Sequence, residues 1–366
     1  MKNTHLIPWA SPKLFGTELK LLKKALQSSW ISGGKYIGIF EEKIKKKLIV
    51  KNALLVNNGT SAIHAAYIAL GLKAGDKIII PMYGYMASAN IAKMMGLKII
   101  FADVELDTFC ISLRTIKKIL EKNVKAIVVI STYGNMPNIE EISKFAKKKK
   151  IYLIEDAAES LGSKYKNKFS GAWGDIGTFS FHATKSITSG EGGAIVTRNR
   201  KFAEKISLFR NHGIRIKSYV HIIPGHNFRM SNMLAAFGLA QFNKINIIFK
   251  ERLKLLKWYR TYLEKEKIIF QKILNSTYFM PWTIGLILKD CHNNMAKRDK
   301  IILKLKKLGI ETKYGFKKPE YFKVKNYKKN FKNSYCLTNS VIALPFHLNL
   351  KESQVKYICK NLNKLL

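Results

Sequence analysis

The stretch "ALLVNNGTSAIHAAYIALGLKAGDKIIIP", residues 53 to 81, decides the fold. It opens on a short apolar run, turns through an Asn-Asn-Gly corner, continues with apolar residues at helical spacing and closes on Lys-Ile-Ile-Ile-Pro. A run that is apolar at every position yet too short for a helix reads as a strand buried on both faces, the mark of a parallel sheet. A glycine ends the intervening helix. The unit is therefore strand, helix, strand.

The same rhythm continues on the C-terminal side. "KIIFADV" (98 to 104), "KAIVVIS" (125 to 131), "IYLIED" (151 to 156), "DIGTFSF" (175 to 181) and "GGAIVT" (192 to 197) read as strands. "MASANIAKMMG", "RTIKKILEK", "NIEEISKFAKKK" and "RKFAEKISLFRNHG" read as helices. This alternation predicts an α/β fold, a mostly parallel sheet with helices on both faces. Residues 1 to 50 are expected to hold one helix, near 17 to 28, and the turn "SSWISGGKYIG". A long helical pattern runs from Ser231 to about Tyr262, and a domain change is placed inside it. Residues 1–245 then form an N-terminal segment with a large domain, and residues 246–366 a smaller C-terminal α+β domain.

The chain has 366 residues, 47% of them hydrophobic, enough to bury a substantial core. It shows neither a membrane-length apolar run nor a signal-type start, so a soluble, cytoplasmic protein is expected. Cys110, Cys291, Cys336 and Cys359 are scattered without a C-x-x-C pair or clustered histidines, which fits a reducing compartment and no metal. The 65 basic and 24 acidic residues leave a net charge of +41. Such a field draws polyanions toward the surface. The basic residues are spread along the polar faces of helices, however, and no nucleic-acid module accompanies them. Nucleic acid is not expected as a partner.

Ligands of open α/β sheets lie at the carboxyl ends of the strands, where helix N-termini point positive charge outward. After the first strand, Gly59 frees the backbone, while Thr60 and Ser61 offer hydroxyls and first-turn amides to an anion. An ordinary N-cap explains the same residues. "IYLIED" ends in Asp156, with Glu159 three residues on; a helix starting there puts both carboxylates on one face. A carboxylate at that place can hold a protonated heterocyclic nitrogen. Lys185, in "SFHATKSITSGEGGAIVT" (180 to 197), follows another strand, with Ser180 upstream and glycines that leave room for a bulky group. An enclosed lysine loses proton affinity and becomes a nucleophile toward carbonyls. Each feature alone has a bland reading; together they form an ordered set of anion cradle, carboxylate and amine.

That set, with "LIEDAAESLGSKYKNKFSGAWGDIGTFSFHATKSITSGEGGAIVT", "LFRNHG" and "HNFRMSNMLAAFGLAQ", resembles the DegT/StrS-type aminotransferases. The resemblance runs from about Trp30 to the C-terminus and, through Glu159, points toward the perosamine-synthase-like sugar 4-aminotransferases. It implies the fold-type I architecture, pyridoxal 5'-phosphate as cofactor and a homodimer with shared active sites. It implies amino transfer from an amino acid donor, L-glutamate, to a nucleotide-linked keto-sugar, for surface polysaccharide or lipopolysaccharide synthesis. In its terms Lys185 forms the Schiff base, Asp156 pairs with the pyridine nitrogen, and Tyr85 stacks on the ring. Gly59, Thr60, Ser61 and Ser180 cradle the phosphate, Asn227 reaches it from the second subunit, and Glu159 stands near the phenolic oxygen. Dehydratases of the same fold carry histidine at the position of Lys185, so transamination is expected.

The substrate side is altered. "GIETKYGFKKPEYF" has Lys313 where arginine often stands, and the stretch after it is shortened. Trp30 resembles a residue at the active-site mouth, with a core tryptophan as the equal alternative, and Arg229, which flanks Asn227, is a candidate substrate contact with an interface residue of no catalytic part as the alternative. The alternative function is a catalytically inactive fold relative acting as a basic regulatory or nucleic-acid-binding protein.

Overall fold

The structure is a computed structural model that describes residues 6–215, 219–289 and 295–366. Cys291 lies outside the described residues. A central sheet is built from β1 (Asn52–Val56), β2 (Lys77–Pro81), β3 (Lys98–Ala102), β4 (Val124–Ile130), β5 (Tyr152–Asp156), β6 (Ile176–Ser180) and β7 (Gly193–Thr197). Their spatial order is β1-β7-β6-β5-β4-β2-β3. Neighbours from β6 through β3 run parallel, in registers such as Ile79 opposite Ile100 and Val128 opposite Ile154.

The departure from parallel is β7, which is antiparallel to both β6 and β1. β1 and β2, successive in the chain, therefore lie far apart in the sheet. α3 (Gly59–Ala69) makes the crossing over one sheet face and is buried almost all round. Because β7 alone is reversed, β1, β2, β4, β5 and β6 all deliver their C-terminal ends to the same edge.

Alternation along the strands sorts the core. Ile78, Ile80, Val128 and Ile154 pack on one face with α3, α4 (Ala87–Met94) and α7 (Arg200–Phe209). Ile79, Ile127, Val129 and Leu153 pack on the other with α5 (Leu113–Ile119) and α6 (Ile139–Lys149). Leu55, Phe179 and Val196 continue that second face under α1 (Thr17–Gln27), α2 (Lys35–Leu48) and α8 (Asn232–Asn243).

Two local expectations are corrected. The lead-in holds two helices, not one: α2 places Tyr36, Phe40, Ile44 and Leu48, four apart, in the core. Burying each such side chain contributes about 1.5–3 kcal/mol, enough to overrule the glycine-rich turn read there. Asp156 does not open a helix; successive turns follow it, hydrogen-bonded from Ser160 N–H to Ala157 O and from Ser163 N–H to Ser160 O.

The long helical pattern is broken at Lys244, where α8 ends and α9 (Ile245–Tyr262) begins. A second sheet, antiparallel throughout, follows in the order β8 (Ile268–Phe270), β9 (Ile284–Leu288), β11 (Val341–Leu344), β10 (Lys313–Tyr314). Its core holds Leu255, Leu256 and Tyr259 of α9, Ile301 and Leu305 of α10 (Met295–Lys307) and the final helix Glu352–Leu365. The start of the chain returns to this layer, Ile7 pairing with Ile310. Among the described residues no helix is long and apolar enough to cross a membrane.

Candidate active site

The shared edge of strand ends opens into a cavity of about 880 Å³. Gly59, Thr60, Tyr85, Asp156, Glu159, Ser180, Lys185 and Lys313 all line it. Residues more than a hundred positions apart meet there because β1, β2, β5 and β6 end at that edge.

Asp156, the last residue of β5, is buried. Its carboxylate accepts hydrogen bonds from Ser88 Oγ at 3.1 Å and the Ala158 N–H at 3.3 Å. Burial pushes its pKa above the ordinary carboxylate value, against the pull of the Ala158 amide, the Lys185 charge and Ser88. Glu155, one residue earlier, points to the opposite face as strand geometry requires. There it accepts the amides of Gly171, Trp173 and Gly174 and fixes the turn leading into β6.

Lys185 lies in the connection between β6 and β7, with its side chain 13% exposed. Its Nζ stands 3.7 Å from Glu159 Oε1 and 3.8 Å from the ring centroid of Trp282. Burial lowers its pKa, while Glu159 and Asp156 oppose that shift. Burial raises Glu159 to about 7, against the Lys185 charge and the Tyr133 N–H, which donates to Oε2 at 2.8 Å.

At the start of α3, Asn58 Oδ1 accepts the Ser61 N–H at 2.8 Å, which leaves Gly59 and Thr60 to present first-turn amides to the cavity. A Cβ on Gly59 would stand 3.0 Å from Ser180 Cβ. Glycine is what lets cradle and β6 approach so closely.

The chain belongs to the DegT/DnrJ/EryC1/StrS aminotransferase family.

The family model matches residues 13–363. The GDP-perosamine synthase of Vibrio cholerae is 34% identical over 360 residues, covering 97% of each chain. That of Escherichia coli O157:H7 is 32% identical over 366 residues, covering 98% of each. Among solved structures, Helicobacter pylori PseC, an aminotransferase involved in the biosynthesis of pseudoaminic acid, is 27% identical and superposes with a TM-score of 0.90, covering 98% of this chain and 99% of that one. Amino transfer with pyridoxal phosphate is the chemistry of the family, and this aminotransferase shares it.

The residues fit that cofactor. The cavity has an anion cradle that a Cβ would obstruct, a buried carboxylate, and a largely buried amine. Tyr85 lines it yet is 65% exposed, which leaves an aromatic face available to a planar ligand.

Of the remaining sequence-derived residues, Ser61, Asn227, Arg229 and Trp30 stand off the cavity wall. Ser61 is buried behind the first turn of α3. Asn227 and Arg229 lie on an exposed strap beside β1, where Asn57 N–H donates to Phe228 O at 2.9 Å and Arg229 Nε donates to Asn227 Oδ1 at 3.3 Å. Trp30 is 69% exposed, so the core alternative does not hold; its backbone is tied in, the carbonyl by Asn232 Nδ2 and the N–H by Ser28 Oγ. Lys313 lines the cavity, with Nζ 2.7 Å from Glu311.

Sequence reading missed Trp282, Ser88, Tyr133 and Asn58. Asn58 had a visible signal, an asparagine preceding a helix. Trp282 had none, since it lies in the C-terminal part of the chain, which reads only as a smaller α+β domain.

The raised Glu159 carboxyl has a consequence for stability. The folded protein holds this proton more tightly than the unfolded chain, so its contribution is present below pH 4.5 and is lost as the pH rises through about 7. Thermal melts of wild type and Glu159→Gln should show the wild type's relative advantage shrinking across that window; parallel curves would show that Glu159 titrates as a solvated carboxyl.

Proposed function

We propose that this aminotransferase moves an amino group from L-glutamate to a nucleotide-linked keto-sugar, supplying amino-sugars for surface polysaccharide synthesis in the cytoplasm. The observation that carries the reading is the convergence of Lys185, Asp156 and the Gly59–Thr60–Ser180 cradle on one cavity. Similarity to two GDP-perosamine synthases over nearly the whole chain supports the sugar nucleotide as acceptor.

Gly59, Thr60 and Ser180, backed by Ser61, would hold the phosphate of pyridoxal phosphate, Tyr85 its ring face, Asp156 its ring nitrogen, and Glu159 its phenolic side. When bound, the cofactor supplies an electron sink for negative charge developing at the substrate carbon. Asp156, held by Ser88 and Ala158, keeps a compensating negative charge fixed in a dry site, where it is least screened. Lys185 accepts and returns a proton at Nζ, and its burial-lowered pKa suits it to both directions. Lys313 and the strong positive field of the chain favour an anionic diphosphate substrate.

The division near Lys244 into a cofactor-binding body and a smaller substrate-side layer belongs to this reading, as does a homodimer. Asn227 is exposed and off its own cavity wall, where a partner's cavity can use it, with Arg229 and Trp30 beside that shared mouth. Exposed Trp30, Tyr219 and Val220 give the dimer apolar surface to cover.

Purified protein reconstituted with pyridoxal phosphate and reduced with borohydride should carry the phosphopyridoxyl mass on the Lys185 peptide. A panel of nucleotide 4-keto and 3-keto sugars with glutamate should yield one amino-sugar together with an equal amount of 2-oxoglutarate, and light scattering should report two chains. A protein that gains no such mass and instead binds DNA with a steep salt dependence would be the basic binding relative rather than an enzyme.

A further inference from the structure

We propose that Trp282 is the positioning residue for Lys185: its ring face holds the ammonium toward the cavity, while its indole N–H fixes the backbone that bears the lysine. The proposal rests on reading Lys185 as the reactive amine of the site. The Nζ-to-centroid distance of 3.8 Å is well inside the ~6 Å over which an aromatic face attracts a cation. Trp282 is buried, so little water screens the contact. Its Nε1–H donates to Thr184 O at 2.8 Å, the carbonyl of the peptide entering Lys185. Ring and lysine are thus tied together through both side chain and backbone.

The surroundings hold this pair from several sides. Tyr133 donates its N–H to Glu159 Oε2 at 2.8 Å and accepts the Trp282 backbone N–H at 3.1 Å. The two groups flanking Nζ therefore hang on one residue. Tyr133 has φ 58°, a left-handed conformation that costs a bulky side chain energy and persists only where its surroundings impose it. Behind the ring, buried Arg252 of α9 donates Nε–H to Pro281 O at 2.8 Å and its guanidinium to Trp282 O. Trp9 meets the indole edge-on, with centroids 5.6 Å apart and planes at 87°.

The charged groups facing Lys185 are Glu159 and Asp156, both from the segment at the end of β5; Arg252 reaches the pair through main-chain carbonyls. Burial lowers the proton affinity of this amine even with both carboxylates facing it. An aromatic face stabilises the ammonium more weakly than a further carboxylate and carries no formal charge, so the amine is held in place yet can lose its proton.

The test uses the apoprotein. Lys185 is methylated with formaldehyde and cyanoborohydride over a pH series, and peptide mass spectrometry gives its labelling midpoint. Protein in which tryptophan carries successively more fluorine keeps the shape of the ring but weakens its negative face; among the described residues Trp282 is the tryptophan whose ring faces Lys185. The midpoint should fall stepwise, by about one pH unit over the series. Trp282→Phe should lower it less than Trp282→Leu, and the fluorinated protein keeps the test open should either variant fold poorly. A midpoint that stays fixed across the series overturns the role of Trp282. Borohydride trapping of pyridoxal phosphate on the same preparations separates the two readings: trapping with a fixed midpoint removes Trp282 alone, and absence of trapping in wild type removes Lys185 as the reactive amine.

Discussion

Lys185→Ala should lower turnover with glutamate and a keto-sugar nucleotide by about a thousandfold or more, and should abolish borohydride-fixable pyridoxal phosphate. The size of the effect follows from the two roles proposed for Lys185, the amine that attaches the cofactor and the base that moves the proton, which would be lost together. The fold should survive. Burial already disfavours the Lys185 ammonium, and Glu159, raised to about 7, can take up a proton when its partner is gone. A melting transition close to wild type beside lost turnover is the expected pattern, read by calorimetry and steady-state kinetics on one preparation. Turnover within tenfold of wild type would show that another group moves the proton.

Asp156→Asn should cost about 10²–10³ in kcat/KM, the range seen when a preorganised electrostatic partner is removed from a dry site. Asparagine nearly keeps the shape and can still accept the Ala158 N–H. What it lacks is the charge proposed to keep a ring nitrogen protonated, so the loss isolates electrostatics from packing. Ser88→Ala leaves that charge in place and removes one hydrogen bond to it, so a much smaller loss is expected. If Asp156→Asn and Ser88→Ala have equal effects on kcat/KM, the carboxylate acts by shaping the pocket and not through its charge.

Legibility of the fold varied with how local each cause was. β2 reads from Lys77 to Pro81 as it folds because a continuous apolar run bounded by turns has one economical use. α2 was hidden although Tyr36, Phe40, Ile44 and Leu48 repeat every four residues, because Gly33, Gly34 and Gly38 suggested a turn. The reversed direction of β7 has no sequence mark, since an apolar strand reads the same in either orientation. Strand direction depends on which neighbour supplies the hydrogen bonds.

The site divides in the same way. Gly59, Thr60, Asp156, Ser180 and Lys185 could be found because each stands next to the element that carries it, at a strand end or a helix start. Trp282 and Tyr133 could not. Their importance comes from contacts with Lys185 and Glu159 made through space, and Tyr133 contributes with its backbone, which no side-chain pattern encodes.

By itself, the sequence determined the alternating strands and helices and the ordered set of anion cradle, carboxylate and lysine, both properties of local apolar spacing and residue chemistry, while its longer motifs carried the resemblance to an aminotransferase family. The tertiary structure alone decided that these groups share one cavity, that Lys185 is held between Glu159 and the face of Trp282, and that Glu155 holds the amides of Gly171, Trp173 and Gly174. The physical reason is that proton affinity and orientation depend on burial and on neighbours distant in the chain, and only the packed sheet fixes both.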